Sequence, residues 1–222
     1  MSNARQLTGL LGGSFNPAHG AHRRISLFAL DALGLDEVWW LVSPGNVLKP
    51  AAGMAPIAAR VASAREMARG VPIRVTAIEA QIGTRYTLDT LRKLKRRYPK
   101  RRFIWLMGAD NLAEFHRWRG WRMIAREMPI AVIARPGYDI KALASPAMVW
   151  LRRWRRRHSQ ELNGANRSAP ALRTLRFDPD GRSATAIRAA DPDWFRRYER
   201  IHQRDMLTHR PVDAAPDRAG SL

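Results

Sequence analysis

Residues 7–22, LTGLLGGSFNPAHGAH, leave few folds open to this chain. A short apolar run, with Leu7, Leu10 and Leu11, ends at the pair Gly12-Gly13. Ser14, Phe15, Asn16 and Pro17 follow, and His19 and His22 then stand three apart at the head of an amphipathic segment. The pattern reads as a strand, a tight glycine turn and a helix N-terminus. That junction offers backbone N–H groups and the positive end of a helix dipole to an anion. Glycines let the backbone approach a phosphate with no Cβ in the way. Side chains at i and i+3 share one face of the first helical turn, so both histidines can meet one ligand. Two plainer readings compete: an ordinary turn, or a histidine pair for a metal. For a metal, the chain has no Cys and no carboxylate nearby before Asp31.

Three further runs, at 37–43 (EVWWLVS), 102–107 (RFIWLM) and 129–134 (PIAVIA), are almost unbroken apolar stretches. Unbroken runs mean burial on both faces, as in a parallel sheet. PIRVT at 72–76 is a shorter strand, and LRTLRF at 172–177 alternates as an edge or final strand would. Residues 22–33 and 57–69 read as amphipathic helices between strands, and Gly34 is a natural stop for the first. Residues 140–157 are basic and partly helical, 158–170 form a polar insertion loop, and 193–207 read as a last helix. The expected architecture is α/β, a Rossmann-like doubly wound parallel sheet with a helical C-terminal region. It forms one domain over 1–210, with its core in 1–137, an insertion at 138–171 and the last strand and helices in 172–210. A flexible tail is expected over 211–222. At 222 residues and 45% hydrophobic content the chain can bury a sizeable core.

The formal charge of +20 admits three causes: nucleic acid, a phosphate-rich substrate, or a bias towards arginine. Many of the cations fall in 92–102 and 152–157 and read as solvated helix faces. The absence of Cys removes disulfides and thiolate chemistry and fits a reducing compartment. No apolar run approaches the roughly 20 residues of a membrane helix, and MSNARQLTG lacks a signal-peptide core. A soluble, cytoplasmic protein without a membrane partner is expected.

GGSFNPAHGAH resembles the signature of the nucleotidyltransferase superfamily, and most closely that of the bacterial nicotinate-nucleotide adenylyltransferases, GG(S/T)F(D/N)PxHxGH. The family has glycine just before the second histidine. Here Ala21 holds that place, with Gly20 one position earlier, and a Cβ at Ala21 would crowd a triphosphate. The resemblance continues along the chain. Lys49, at the end of the loop after the second strand, matches a lysine near the substrates. Tyr86-Thr87 with LDTL resembles YTxDTL, GADNLAEFHRW resembles GADxxxxFxxW, and Arg135-Pro136-Gly137 matches an RPG run. SATAIR, with Ser183, Thr185 and Arg188, matches SxTxIR. Each short motif also has a plain reading: Thr87, Asp110 and Ser183 as helix caps, Trp118 as core beside Trp121, and Lys49 as an exposed lysine.

The resemblance implies transfer of AMP from ATP to nicotinate mononucleotide, giving the deamido dinucleotide and pyrophosphate in NAD synthesis. It implies His19, His22 and Arg188 as catalytic residues. ATP would be bound by Gly12, Gly13, Ser14, Phe15, His19, His22, Ser183, Thr185 and Arg188. The mononucleotide would meet Lys49, Tyr86, Thr87, Asp110 and Trp118, with the pyridine ring stacked on Trp118. Mg²⁺ would be carried mainly by the ATP phosphates, with no dedicated metal site in the protein. Other members of the superfamily, acting on nicotinamide mononucleotide or phosphopantetheine, remain alternatives, as does a basic nucleic-acid-binding module, which lacks any recognisable signature. A homo-oligomer is compatible with the chain.

Overall fold

The computed structural model describes residues 6–45, 53–134, 139–155, 168–177, 183–199 and 203–213. Six strands, all parallel, form one sheet: β1 (Gln6–Gly13), β2 (Glu37–Val42), β3 (Ile73–Thr76), β4 (Arg101–Gly108), β5 (Ile130–Ala134) and β6 (Leu172–Arg176). Their order is β3-β2-β1-β4-β5-β6. The chain moves outward from β1 to β3 on one side, then returns to place β4 beside β1 and continues to β6. The order therefore reverses between β1 and β4. In doubly wound sheets a crevice opens at such a point, outside the carboxyl ends of the strands. The loops after β1 and β4 both end there.

The helices between strands are α1 (Gly20–Leu33), α2 (Ile57–Met67), α3 (Ile78–Gln81), α4 (Thr87–Arg97), α5 (Ala109–Glu114), α6 (Trp121–Glu127), α7 (Asp139–Leu143) and α8 (Pro146–Leu151), and α9 (Ala184–Ala190) follows β6. Strand side chains alternate between two cores. Leu7, Leu11, Trp40, Val42 and Ile133 pack with α1 and α2 on one face. Leu10, Trp39, Leu41, Trp105 and Val132 pack with α4, α5, α6 and α8 on the other. Trp39 and Trp40 are both fully buried, on opposite faces of β2. This is why EVWWLV reads as a continuous apolar run. Each such side chain contributes about 2–3 kcal/mol of burial.

At the amino ends of the strands the charges are structural. Glu37 is buried and accepts hydrogen bonds from Trp39 Nε1 (2.7 Å), Arg74 Nε (2.6 Å) and Arg101 Nη1. No described helix is long and apolar enough to cross a membrane.

Three expectations change. Helix α2 is not amphipathic: Ala59, Arg60, Val61, Ala62, Ser63 and Ala64 are all buried. Small side chains let it sit deep between the sheet and the C-terminal segment. Among the described residues of 193–207, the expected helix is a 3₁₀ turn at Trp194–Tyr198, and residues 203–213 cross the β3 edge without helix. Asp205 ties this segment to the end of β3. Its buried carboxylate accepts from Thr76 Oγ1 (2.8 Å), Ala77 N (2.6 Å), Leu207 N (2.9 Å) and Thr208 N (3.1 Å). The same segment covers the sheet edge, with Met206 Sδ 3.3 Å from Val75 N. The boundary set at 210 moves outward, because Val212 is 1% exposed and belongs to the first core.

Candidate active site

Strand β1 runs through Gly12 and Gly13, and both are half-buried. Gly12 has a packing reason to lack a side chain. A Cβ there would lie 2.7 Å from the rim of the Trp105 ring on β4. Beyond the strand, Phe15 takes a left-handed backbone (φ 47°) and is 1% exposed. For a non-glycine residue that conformation costs about 1–2 kcal/mol. Packing offsets it: the ring stacks on Trp40 at 5.0 Å and meets the His22 ring at 4.8 Å. Asn16 is buried and fixes the next turn. Its Nδ2 donates to the Gly53 carbonyl (2.9 Å) and its Oδ1 accepts from Ala55 N (3.2 Å).

The loop delivers the chain to α1, whose N-cap is His19. His19 N–H donates to His22 Nδ1 (3.2 Å), and the two rings lie 3.9 Å apart. With Nδ1 accepting, a neutral His22 carries its proton on Nε2. Ser26 Oγ donates to the His22 carbonyl (2.9 Å) and accepts from Trp40 Nε1 (2.7 Å), which anchors this turn to the sheet. Ala21 is 2% exposed. Its Cβ is turned into the protein, so the crowding expected there does not arise from this geometry.

Arg60 of α2, 1% exposed, sits beneath the loop. Its Nη1 donates to the carbonyls of Ser14 (2.8 Å) and Ser43 (2.7 Å), its Nε to Ala55 (2.9 Å) and its Nη2 to Pro44 (3.4 Å). Burial pushes its guanidinium down to about 10. A trans peptide holds C=O and N–H on opposite sides. Drawing the Ser14 carbonyl towards Arg60 therefore aims the Phe15 N–H the other way.

The SATAIR segment docks against this loop. Ser183 caps α9, its Oγ accepting from Ala186 N (3.1 Å). Arg188, one turn on, donates through Nη1 to the Asn16 carbonyl (2.5 Å) and lies 3.3 Å from Thr185 Oγ1 through Nη2. Two segments 172 positions apart thus close over the same crevice. Ser183 and Thr185 are exposed and Arg188 is half-buried.

On the β4 side, Gly108 caps α5. Asp110 folds its carboxylate back over Gly108, leaving no room for a Cβ there. The expected capping role of Asp110 thus belongs to Gly108. Trp118 is half-buried and edge-on to Trp105 (6.3 Å) and Phe115 (5.4 Å). Trp105 therefore bridges the glycine turn and Trp118. Tyr86, not Thr87, is the N-cap of α4, and Thr87 is its first helical residue. The ring of Tyr86 carries the Arg119 guanidinium at 4.5 Å. Deeper in α4, Thr90 Oγ1 lies 3.1 Å from Glu79 Oε1 and 2.8 Å from Thr84 Oγ1. Removal from water pushes the Glu79 carboxyl up to about 7, against the pull of the Thr90 hydroxyl. Lys49 and Arg135-Pro136-Gly137 lie outside the described residues.

Sequence reasoning missed Arg60, the αL turn at Phe15 and the clamp formed by Asn16. Arg60 alone left a trace: an arginine set among alanines and serine in the middle of a helix rich in small residues.

A parallel sheet with its crevice at the β1/β4 reversal, a glycine turn feeding a histidine-bearing helix start, and an arginine helix closing over both define a nucleotidyltransferase. The chain belongs to the cytidylyltransferase-like family, whose sequence profile matches residues 10–190. It is 69% identical over 205 residues to a probable nicotinate-nucleotide adenylyltransferase of Erythrobacter litoralis, covering 92% of this chain and 94% of that one. A protein of Bradyrhizobium sp. (strain ORS 278) with the same name is 50% identical over 186 residues, 84% of this chain and 97% of its own. The fold is also that of Plasmodium falciparum nicotinic acid mononucleotide adenylyltransferase solved with NaAD. There the TM-score is 0.62 at 15% identity, covering 83% of each chain.

Proposed function

We infer that the protein transfers AMP from ATP to nicotinate mononucleotide, releasing pyrophosphate and forming the deamido dinucleotide of NAD synthesis. The 69% identity along nearly the whole of both chains supports the substrate pair. The observation that supports the mechanism is the bond from Arg188 to the Asn16 carbonyl, which joins the glycine-turn segment to the SATAIR segment.

The mononucleotide phosphate attacks the α-phosphorus of ATP in line, and pyrophosphate leaves. The nucleophile is already ionised, so no general base is needed. The enzyme's work is to hold two anions together and to meet the charge that grows on the leaving oxygens. In this reading the Gly12–Gly13–Ser14–Phe15 turn and the start of α1 cradle the triphosphate. His22 Nε2–H and His19 donate to phosphate oxygens, Ser183 and Thr185 orient the β- and γ-phosphates, and Arg188 supplies fixed charge. Tyr86, Thr87 and Asp110 line the mononucleotide side, Trp118 offers its ring to the pyridine, and Lys49 would add fixed charge, as the resemblance implies. Mg²⁺ would come with ATP, carried mainly by phosphate oxygens and water, and would supply charge neutralisation, which suits a small hard cation that dehydrates reluctantly. A cytoplasmic location belongs to the same reading, since both substrates are soluble nucleotides.

Pyrophosphate release by the purified protein, with ATP and either nicotinate or nicotinamide mononucleotide, tests this. Release that requires both ATP and the acid mononucleotide, with higher kcat/KM than for the amide, is expected. Donors set for two carboxylate oxygens would leave the amide NH₂ facing another donor. Equal values, or a preference for the amide, would refute acid specificity.

A further inference from the structure

We propose that Arg60 is a positioning residue that serves as a buried counter-charge for the substrate phosphates. This rests on the nucleotidyl-transfer reading and adds to it a residue that no motif contains. The guanidinium is 1% exposed, and no carboxylate among the described residues pairs with it. Its partners are four backbone carbonyls, of Ser14, Ser43, Pro44 and Ala55. These carbonyls belong to the loop after β1, the end of β2 with the segment after it, and the residues just before α2. Carbonyl dipoles solvate a buried cation only in part, and the charge remains uncompensated within the protein. The cost is sustained at one place, directly beneath the Gly12–His22 loop.

Two physical consequences point outward from Arg60. Its hold on the Ser14 carbonyl aims the Phe15 N–H to the opposite side, as a donor for an anion. Its charge, sealed from water, acts across the loop with little screening. An incoming polyphosphate supplies the anion that the apoprotein lacks. Binding should therefore be coupled to the charge at residue 60, beyond any role of the side chain in holding the loop.

The test is pyrophosphate binding by calorimetry, with thermal unfolding of the free and pyrophosphate-loaded protein, on wild type, Arg60→Met and Arg60→Lys. Lysine keeps the charge and loses the fork that reaches several carbonyls; methionine loses both. The expected result is a Kd for pyrophosphate weaker by about 10-fold or more in Arg60→Met, and within about 3-fold of wild type in Arg60→Lys. The Tm of free Arg60→Lys should nonetheless fall. An unchanged Kd in Arg60→Met, or equal losses in both variants, would overturn the proposal and leave Arg60 as a loop tie alone. If Arg60→Met does not fold, Arg60→Lys decides: retained binding at lowered Tm supports the counter-charge, and lost binding refutes it. Wild-type protein that fails to bind pyrophosphate would instead sink the nucleotidyl-transfer reading.

Discussion

Arg188→Ala probes the contact that closes the site. Arg188 Nη1 donates to the Asn16 carbonyl at 2.5 Å, and Asn16 is itself buried and tied to Gly53 and Ala55. A hydrogen bond from a charged donor contributes about 1.5–3 kcal/mol net, a factor of roughly 10–150 in an equilibrium. Helix α9 is short, and four of its seven residues are exposed. The Arg188 bond is thus a substantial part of what holds it against the loop. If the docked arrangement is the reactive one, Arg188→Ala should lower kcat/KM for ATP by at least that factor. Direct loss of a cation at the phosphates would add to it. Arg188→Lys keeps a charge but cannot reach both the Asn16 carbonyl and Thr185 Oγ1, so it should fall between the two. The assay is steady-state pyrophosphate release against ATP at saturating nicotinate mononucleotide, with urea unfolding measured in parallel. Arg188→Ala within 3-fold of wild-type kcat/KM would refute the reasoning. If stability dropped by the full amount at the same time, the contact would be a structural tie with no part in the reaction.

Other outcomes follow from the same geometry. His22→Ala should lower kcat on the order of 10²-fold through loss of the Nε2–H donor, and His22→Gln by less; single-turnover kinetics on folded protein check this. Trp118→Ala should raise KM for both mononucleotides with KM for ATP nearly unchanged, and cost about 2 kcal/mol of stability through lost contact with Trp105 and Phe115. Ala21→Gly should leave kcat/KM for ATP within about 2-fold, since Ala21 faces inward, and cost about 0.5–1 kcal/mol in urea unfolding. Glu79 has a folded pKa of about 7, above its ordinary 4.5. Its contribution is therefore full below pH 4.5 and is lost as pH rises through about 7, by about 3 kcal/mol in total. Urea unfolding across that range should show the decline in wild type and its absence in Glu79→Gln.

The sheet was legible because EVWWLV, RFIWLM and PIAVIA are buried on both faces and show it as unbroken apolar runs. The glycine turn after β1 and the starts of α1 and α9 were legible because such junctions carry local chemistry. What escaped depends on contacts between distant segments. Asp205 collects donors from Thr76 and Ala77, more than a hundred residues earlier, and nothing near Asp205 announces them. Thr87 has the composition of a cap, yet the backbone of Tyr86 is extended and takes the position itself. Gly12 reads as a phosphate glycine, while its nearest constraint is the ring of Trp105 on the neighbouring strand. Arg60 is surrounded by residues that say helix and say nothing of charge.

The charge of +20 invites an account in terms of a global field, but the described cations are mostly engaged locally. Arg74 and Arg101 neutralise Glu37 at the far end of the sheet. Arg92 and Lys95 hold Glu127. Arg122 lies over the ring of Trp121 and Arg153 over that of Trp154, at 4.6 and 5.1 Å, covering aromatic surface that would otherwise meet water. Exposed charges of this kind are screened within about 10 Å at ordinary salt. The crevice is served differently. Arg60 and Arg188 both bond to carbonyls of the turn between Ser14 and Asn16, one from below and one from α9. Their charge is sheltered and close. In the proposed reading, placement more than total charge would hold two phosphate-bearing substrates against their own repulsion.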